Sequence, residues 1–408
     1  MPHVIEMTEA EQEAAVATAR ELATEFDRVG AEHDRENTFP HELTALFKGS
    51  GLAGLNVPKR FGGMGGDIWT TARCVQELAR GDAACALAFN MHIGVIGFFT
   101  GMWSEADQKR FFPGVASEGH LFDGAYSEAR AGVIGLADTL ATPVDGGWKV
   151  NGRKTWGTLS LVADYHTFNA TITDPDGSVP DDPTERGARE VMMVCSAGAP
   201  GVRVDKTWDA MGMRATGTET VVFEDLFVPE EDLVAPEFRG PLFANLEWQT
   251  LTFSSVYYGL ARRAYEETKA AVIKKSTGPV QGAANVRARE IGWVQRDLGD
   301  MRVLNEISAA TIENTAKALL DGRDADWGPV MRLGLLEVPK VTCTENALKV
   351  VDTGMRLIGG GSYRRGHILE RLFRDARSGP FHPLTTDQTL EYIGMAELGL
   401  FDPAPANA

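Results

Sequence analysis

The chain has 408 residues, of which 43% are hydrophobic and 24% are charged, and its formal net charge is −17. A chain of this length predicts about two to three domains of ~150 residues each and has enough apolar residues for a large core. The acidic balance argues against nucleic acid or an anionic membrane as a partner, so an anionic ligand would need a local basic site.

Helical signals fill the N-terminal part of the chain. Thr8, followed three residues later by Glu11, has the spacing of a capping box and predicts the start of a helix. Residues 68–100 predict two further helices, with Asp82 as the N-cap of the second. That second helix is apolar nearly all round, which predicts burial, and His92 within it is more typical of a packed core histidine than of a catalyst.

Short β runs and turns replace the helical pattern between residues 121 and 234. Asn151-Gly152, within WKVNGRKTWGT, predicts a hairpin turn. Residues 164–172 and 190–195 predict paired strands, and the polar run between them, rich in Pro and Asp, predicts an exposed loop.

The helical period returns beyond Pro241. The predicted helices span residues 244–275, 286–320, 329–357, 365–377 and 389–401, with breaks at Gly278-Pro279, at Gly322 and at the glycine triplet that begins with Gly359. The chain is therefore expected to run from α to β and back to α, in three segments of similar length.

No local catalytic signature is present, since the sequence contains no HExxH, GxSxG or CxxC motif. The cysteines are scattered and the histidines are not spaced as ligand sets, so no disulfide and no metal site is predicted. The N-terminus resembles neither a signal nor a transit peptide, and no apolar run approaches ~18 residues. These features predict a cytoplasmic protein without a membrane span.

Two stretches contain groups that could bind a cofactor. Ser127 and Thr158 can donate hydrogen bonds to a ring carbonyl or nitrogen, and Trp156 can stack on a flat ring. The alternative, a core Trp beside two turn hydroxyls, is favoured by the residues alone. Residues 357–386 combine three glycines with an Arg-rich helical pattern, which is typical of a phosphate site and equally of a helix–helix turn with a salt-bridged helix.

Several motifs, taken in chain order, resemble those of the acyl-CoA dehydrogenase superfamily from about residue 10 to residue 400. The N-terminal part carries GLAGLNVPKRFGGMGGD and ELARGDAACALAFNMH. The β part carries Ser127-Glu128, NGRKTWGT at 151–158 and MGMRATGTETVVFEDLFVP at 211–229. The helices that follow carry YYGLARRAYEE, IGGGSYRR and LERLFRDAR, and it is the shared order of all these motifs that makes the resemblance specific.

The resemblance implies an α+β fold with an N-terminal α-helical domain at residues 1–120, a middle β-barrel-like domain at 121–237 and a C-terminal four-helix bundle at 238–408. It also implies FAD extended between the middle and C-terminal domains, in a homotetramer built as a dimer of dimers. Ser127 takes the place of the family's Thr that contacts the isoalloxazine ring, and Trp156 and Thr158 match the element that covers this ring.

A neighbouring subunit is expected to share the cofactor site. In the family a GGxG turn supports the adenosine diphosphate of the FAD bound to the adjacent subunit, and here Gly359 and Gly360 match that turn. Arg356 stands where the family usually has Gln, and its guanidinium could pair with the pyrophosphate.

The catalytic base is missing from its usual position. Acyl-CoA dehydrogenation needs a carboxylate to take the α-proton while the β-hydride goes to the flavin. In most members this Glu stands eight residues after the Asp of the RDA element, and counting from Asp375 gives Pro383. Thr385 keeps the Thr of that motif and is expected to touch the flavin. A minority of members use a Glu that begins the first C-terminal helix, where Glu247 is the candidate, although, measured from Gly259, it sits two residues early.

Other positions depart from the family as well. Val133 and Ile134 replace a Ser and an Asp, of which the Ser normally helps to bind the thioester substrate. The Arg element that binds the neighbour's FAD has no clear counterpart, and Lys274, Lys275 or Arg287 are candidates to replace it.

The resemblance leaves competing functions open. The first is an FAD-dependent dehydrogenase of an acyl thioester, bound to CoA or a carrier protein, with Glu247 as base and an electron-transfer flavoprotein as partner. The second is a flavin monooxygenase of the same fold, such as an amino-sugar N-hydroxylase of the nitrososynthase type, which takes reduced FAD or FMN from a separate reductase and needs no such base. The third is an inactive family member that serves as a scaffold.

Overall fold

The computed structural model describes residues 6–130, 136–238, 243, 245–277 and 286–401. Its N-terminal part is helical. The helices are α1 (Glu9–Glu36), α2 (Glu42–Gly49), α3 (Ile68–Gly81), α4 (Ala83–Met102) and α5 (Glu105–Glu118). Their buried faces form one hydrophobic core together with residues of the C-terminal helices.

Side-chain caps start two of these helices where the sequence predicts them. The Thr8 hydroxyl accepts from the backbone N–H of Glu11 at 3.3 Å, and the Glu11 carboxylate accepts from the N–H of Thr8 at 2.7 Å. The Asp82 carboxylate accepts from the N–H of Cys85 at 2.9 Å. Both caps satisfy helix donors that would otherwise lack partners, and both predictions are confirmed.

The buried helix α4 contains a histidine whose role is structural. His92 accepts from the N–H of Phe122 at 3.0 Å through Nδ1, so its Nε2–H donates to the carbonyl of Ala53 at 2.9 Å. Burial lowers the pKa of His92 to about 4 and keeps the ring neutral. The prediction of a packed core histidine is confirmed.

By length and composition, α4 is apolar enough to cross a membrane, and within the described residues it is the one helix that passes this test. However, 89% of its apolar window is buried inside the protein, as expected for a core helix.

The middle part forms a mixed sheet. Its strands are β1 (Phe122–Ala125), β2 (Leu140–Val144), β3 (Gly147–Gly157), β4 (Tyr165–Ile172), β5 (Glu190–Ser196), β6 (Val202–Asp205), β7 (Glu219–Pro229) and β8 (Leu233–Ala235). The spatial order is β6–β7–β3–β2–β4–β5–β8, and β1 pairs in parallel with β4. The predicted pairing of β4 with β5 is confirmed, whereas the polar run between them contains a short helix, α6 (Pro183–Ala188), in place of a continuous loop.

The hairpin turn predicted at Asn151-Gly152 is wrong, because both residues lie inside β3. The Asn151 amide exchanges hydrogen bonds with Asp225 on β7, where the register shifts. A Cβ on Gly152 would lie 2.3 Å from Thr139 Oγ1, so this glycine permits a close approach and does not form a turn. The observed turn joins β2 to β3 through Gly146, whose φ is +74°.

The C-terminal part is helical again, with α7 (Glu247–Lys274), α8 (Gly292–Leu320), α9 (Pro329–Ile358), α10 (Ile368–Ala376) and α11 (Thr386–Glu397). Three helices begin later than predicted, and the first is α7, which begins at Glu247 and not at residue 244. Val286 and Arg287 pair with residues 276–277 in a short ladder, which delays α8, and a 3-10 turn at Gly360–Tyr363 delays α10. The predicted break at Gly278-Pro279 lies outside the described residues.

The predicted succession of helical, β and helical parts is confirmed, and the chain has an α+β fold. The boundary at 120/121 falls between α5 and β1, and the one at 237/238 falls after β8. We retain both as proposed domain boundaries.

Buried charges join the three parts of the chain. Arg371 on α10 pairs with Asp82, the cap of α4, at 3.1 Å. Asp375, one turn further along α10, accepts from the N–H of Met213 in the segment before β7 at 2.6 Å. Burial and the negative charge of Asp82 raise the pKa of Asp375 to about 7, although Arg371 opposes this shift. We call Asp82, Arg371, Asp375 and Met213 the junction cluster.

Asp375 makes the stability of the fold depend on pH. Its folded pKa of about 7 lies above its ordinary value of 3.8, so the folded chain binds this proton more tightly. The stabilisation is complete below pH ~4 and is lost as the pH rises towards 7. Asp375→Asn mimics the protonated form. The difference in unfolding free energy between this variant and the unmodified chain should therefore increase by about 2–3 kcal/mol in favour of the variant as the pH rises from 5 to 8.

Urea unfolding at several pH values would measure this difference. Asp209→Asn, at a side chain that is 90% exposed, is the matched control and should show little pH-dependent difference. A constant difference between Asp375→Asn and the unmodified chain across this range would contradict the prediction.

Candidate active site

A mostly apolar cleft of about 420 Å³ opens where the sheet meets helices from both ends of the chain. Its walls come from α4, the end of β3, the segment before β7, the start of α7 and the loop between α10 and α11. Ser127, Trp156 and Thr158, which the sequence singles out, all line this cleft, as does Pro383. An apolar cleft of this size with few polar groups is typical of a site for a small organic ligand.

Backbone pairing brings the first two of these residues together. The carbonyl of Ser127 accepts from the N–H of Thr155 at 2.9 Å, which holds the segment after β1 beside the end of β3. Trp156 has a φ of +63°, a left-handed conformation that a bulky residue rarely adopts. Strain of this kind persists where the surrounding structure holds it and often marks a functional position.

A chain of hydroxyl groups lies along one wall of the cleft. Thr158 Oγ1 is 2.9 Å from Thr218 Oγ1, which is 2.6 Å from Thr216 Oγ1. Thr216 in turn donates to the carbonyl of Met213 at 2.8 Å. The wall therefore contacts the junction cluster and presents polar groups to the edge of any bound ring.

The loop between α10 and α11 forms the opposite wall. The hydroxyl of Tyr257 on α7 lies 2.7 Å from both Ser378 Oγ and His382 Nε2. Lys340, a buried residue of α9 that pairs with Glu337, donates to the backbone carbonyl of Leu384. These contacts fix the segment in which most family members carry their catalytic Glu.

Hydrogen-bond counting assigns the tautomer of His382. Ser378 donates to the carbonyl of Asp375 at 2.6 Å, so the single proton of Tyr257 goes to Ser378. His382 must then donate to Tyr257 from Nε2, which leaves Nδ1 as the acceptor of the ring. Burial and the positive charge of Lys340 lower the pKa of His382 to about 3, so the imidazole is neutral at physiological pH.

The described residues that line the cleft include no Asp or Glu. Pro383 stands where the count from Asp375 predicts the usual catalytic Glu. Measured from Gly259, the minority pattern expects its Glu two residues beyond Glu247. That position is Gln249, which also lines the cleft. Neither the position counted from Asp375 nor the one counted from Gly259 is a carboxylate, and Glu247 stays the candidate base predicted at the start of the helix.

Glu247 itself lines a larger adjoining cavity of about 1450 Å³. It is 4% exposed and lies 3.5 Å from Arg332, which pairs with Asp324 at 2.9 Å. The two cavities share Phe243 and Leu384 as lining residues. The role of Glu247 as a base stays a prediction, and the geometry places it beside the cleft with a cationic partner.

The other predicted cofactor residues lie outside the cleft lining. Arg356, Gly359 and Gly360 are at the C-terminal end of α9, where a Cβ on Gly360 would meet nothing within 4 Å. Arg356 pairs with Asp352 at 3.1 Å. Their predicted contact with a neighbouring subunit's cofactor stays a prediction. Thr385 is the N-cap of α11 and its hydroxyl accepts from the N–H of Gln388.

Two further groups of residues depart from the family pattern, at positions 133–134 and at Lys274, Lys275 and Arg287. Val133 and Ile134 lie outside the described residues. The Lys275 ammonium donates to the carbonyls of Leu357 and Ile358 at 3.2 and 2.9 Å, so it caps the C-terminal end of α9. Lys274 and Arg287 are exposed, and their suggested cofactor contacts stay predictions.

The residues present fit a flavin ring. Trp156, Met211 and Phe381 line the cleft and are 59%, 54% and 56% exposed. Large apolar side chains that are exposed together indicate a surface that a ligand covers. The hydroxyls of Ser127 and Thr158 lie at the same cleft, as the polar edge of an isoalloxazine ring would require.

Sequence reasoning missed Tyr257, His382 and Gln249. The bond between Tyr257 and His382 joins residues 125 positions apart, so no local pattern could reveal it. Gln249 carried a weak signal, since the offset measured from Gly259 already pointed to its position.

Three family models match the chain in order: the acyl-CoA dehydrogenase N-terminal domain at residues 9–119, the middle domain at 125–226 and the C-terminal domain at 243–383. YdbM of Bacillus subtilis, a protein named as an acyl-CoA dehydrogenase, is 30% identical over 91% of this chain and 93% of its own length. L-evernosamine nitrososynthase of a Micromonospora species is also 30% identical, over 93% of this chain and 89% of its own.

A solved structure adds a bound cofactor to the comparison. TdsC of Paenibacillus sp. A11-2, solved with FMN and indole, is 25% identical, with a TM-score of 0.83 over 96% of this chain and 99% of its own. That protein binds a flavin on the same fold.

Substitutions at Thr158 and Thr385 should affect different properties: flavin affinity for Thr158 and stability for Thr385. Thr158→Val removes a hydroxyl that lines the cleft, so we expect flavin to bind about five- to tenfold more weakly, as for the loss of one hydrogen bond of ~1 kcal/mol. Thr385→Ala removes a helix cap, so we expect about 1 kcal/mol less stability and an unchanged flavin affinity.

Fluorescence titration with FAD and FMN, together with urea unfolding of each variant, would measure both effects. Thr385→Ser keeps the cap and is the matched control. A Thr385→Ala variant that bound flavin as poorly as Thr158→Val would show that Thr385 contacts the cofactor, as the resemblance implies.

Proposed function

The chain belongs to the acyl-CoA dehydrogenase family, and we propose that it is a flavin-dependent monooxygenase of that family that acts on a small, polar, amine-bearing substrate. Membership of the family makes the chain a flavin-dependent oxidoreductase. The observation that carries the finer proposal is the lack of any carboxylate among the described residues that line the cleft.

Dehydrogenation of an acyl thioester requires a base within hydrogen-bond reach of the α-proton. Pro383 and Gln249 stand at the two positions that the counts from Asp375 and Gly259 predict for that base, and neither side chain can take a proton from carbon. His382, the titratable group nearest to Pro383 in the chain, has a pKa lowered to about 3 by burial and is too weak a base. Monooxygenation needs no such group, so this cleft suits it.

The residues of the chain would orient a substrate and leave the redox chemistry to the cofactor. Bound reduced flavin would supply the two electrons that activate dioxygen, of which one atom enters the substrate and the other leaves as water. Ser127, Trp156 and Thr158 would hold the ring. His382 Nδ1, fixed as an acceptor by Tyr257, would receive a hydrogen bond from a substrate N–H and orient it without removing the proton.

The adjoining cavity supports a polar substrate. Glu247, Asp324 and Glu391 line it together with Arg60 and Arg332. Burying a fatty acyl chain against these charges would desolvate them without compensation, whereas a hydroxylated amine could hydrogen-bond to them. The nitrososynthase relative, similar over 93% of this chain, supports the same substrate class. We propose a separate flavin reductase as the redox partner.

A second candidate is dehydrogenation of a CoA- or carrier-bound acyl thioester, with FAD as cofactor, Glu247 as base and an electron-transfer flavoprotein as acceptor. The burial of Glu247 in a cavity that adjoins the cleft favours it, and so does the similarity to YdbM. The ion pair with Arg332 and the offset of two residues from Gln249 count against it.

The proposed function predicts oxygen consumption that depends on reduced flavin. When FMN or FAD is supplied in air with a flavin reductase and NADH as the electron donor, a panel of free and nucleotide-linked amino sugars should include one that accelerates oxygen uptake. Its product should carry one atom from isotopically labelled dioxygen. Acyl-CoA thioesters with chain lengths from butyryl to palmitoyl are also added to the flavin-loaded protein without oxygen. None of them should change the visible flavin absorbance.

Glu247→Gln separates the two candidates. If the chain is a dehydrogenase, this variant should lose about 10²–10⁴-fold in the rate of flavin bleaching by acyl-CoA. If it is a monooxygenase, the unmodified chain shows no bleaching, and the variant loses at most about tenfold in substrate-dependent oxygen uptake, because only a substrate hydrogen bond at Glu247 is weakened. Bleaching of the unmodified chain by any of these thioesters would contradict the proposal.

A further inference from the structure

A buried ion pair lies behind the cleft wall without lining the cleft. Lys154 on β3 is 0% exposed and Glu128 is 5% exposed, and Lys154 Nζ lies 2.6 Å from Glu128 Oε1. Neither residue is among those that line the cleft, so the pair touches no ligand bound there.

The pair connects the two segments that present the proposed flavin contacts. Glu128 directly follows Ser127, and Lys154 stands two residues before Trp156. The backbone bond from Thr155 N–H to the carbonyl of Ser127 runs beside the ion pair and joins the same two segments. Any change in the length or direction of this connection moves Ser127 relative to Trp156.

Further hydrogen bonds fix each partner. The Glu128 carboxylate accepts from the Thr139 N–H at 3.0 Å and the Thr139 hydroxyl at 2.7 Å, and also from the N–H of Asp138. Lys154 donates to Asn169 Oδ1 at 2.8 Å, and the Asn169 amide donates to Glu190. The contacts reach from the segment before β2 across to β4 and β5.

Stability alone does not account for this pair. Taking two charges out of water costs several kcal/mol per ion, and replacing such a pair with apolar side chains of similar volume is often neutral or stabilising. An ion pair with directional hydrogen bonds instead holds its two partners in one relative position. This pair lies directly behind the residues that are proposed to face the flavin, so it can hold those residues in one relative position.

We propose that Glu128 and Lys154 are positioning residues that set the spacing between Ser127 and the Trp156–Thr158 segment and thereby the affinity of the cleft for flavin. The proposal rests on the flavin site of the proposed function, but it does not depend on which reaction the flavin performs. Ligand contacts must be held to within about 0.5 Å by the residues behind them, which gives the pair a large influence on binding.

The test compares a double variant with a control on the same strand. Glu128→Gln combined with Lys154→Met removes both charges while keeping the volumes, and avoids the buried unpaired charge of either single variant. Val150→Ala, at a fully buried residue of β3 in the sheet core, weakens the same strand without touching the pair. Each protein is titrated with FMN and FAD by fluorescence, and its thermal midpoint is measured without flavin.

We expect the double variant to fold with a thermal midpoint no lower than that of Val150→Ala and to bind flavin at least about tenfold more weakly than the unmodified chain. Val150→Ala should bind flavin with nearly unchanged affinity. Unchanged flavin affinity in the double variant would overturn the proposal, as would an equal loss in Val150→Ala. If the unmodified chain bound neither FMN nor FAD, this proposal and the proposed function would both fail. If the unmodified chain bound flavin and the double variant bound it equally well, this proposal alone would fail.

Discussion

The cleft depends on the junction cluster, where buried charges join the three parts of the chain. Arg371 holds the cap of α4, while Asp375 on the same helix holds the backbone of Met213. A Cβ on Gly212 would lie 2.2 Å from the carbonyl of Arg374, so the segment before β7 lies directly against α10. Since Gly212, Met213 and Arg374 also line the cleft, the contacts that assemble the fold form one of its walls.

The remaining walls are held by separate polar systems. Glu128 and Lys154 lie behind the β3 wall, while Tyr257 and Lys340 hold the loop that contains His382. Each system is buried and hydrogen-bonded, so its geometry exists before any ligand arrives. A site prepared in this way spends little binding free energy on rearrangement. The residues around the cleft are therefore held by contacts within the protein that need no ligand.

The sequence predicted those features that depend on local chemistry or on motif order. The caps at Thr8 and Asp82 follow from neighbouring residues, and Ser127 and Trp156 were placed in one site by the order of the family motifs. Asn151-Gly152 misled because pairing of β3 with β7 overrides a local turn preference. The tautomer of His382 could not be predicted, because it is set by hydrogen bonds with residues that are close only in the folded chain.

The loop between α10 and α11 is held in an arrangement of its own, and the absence of a Glu at position 383 is only one part of that arrangement. Restoring a Glu at position 383 would not by itself restore a base, because Lys340 binds the carbonyl of Leu384 and Tyr257 binds His382, so the backbone around that position is committed to another arrangement. Position 249 carries an amide, which keeps the volume of Glu but removes its charge and replaces one acceptor oxygen with an NH2 donor. Neither Pro383 nor Gln249 is a carboxylate, and the loop that carries Pro383 is held around a neutral imidazole.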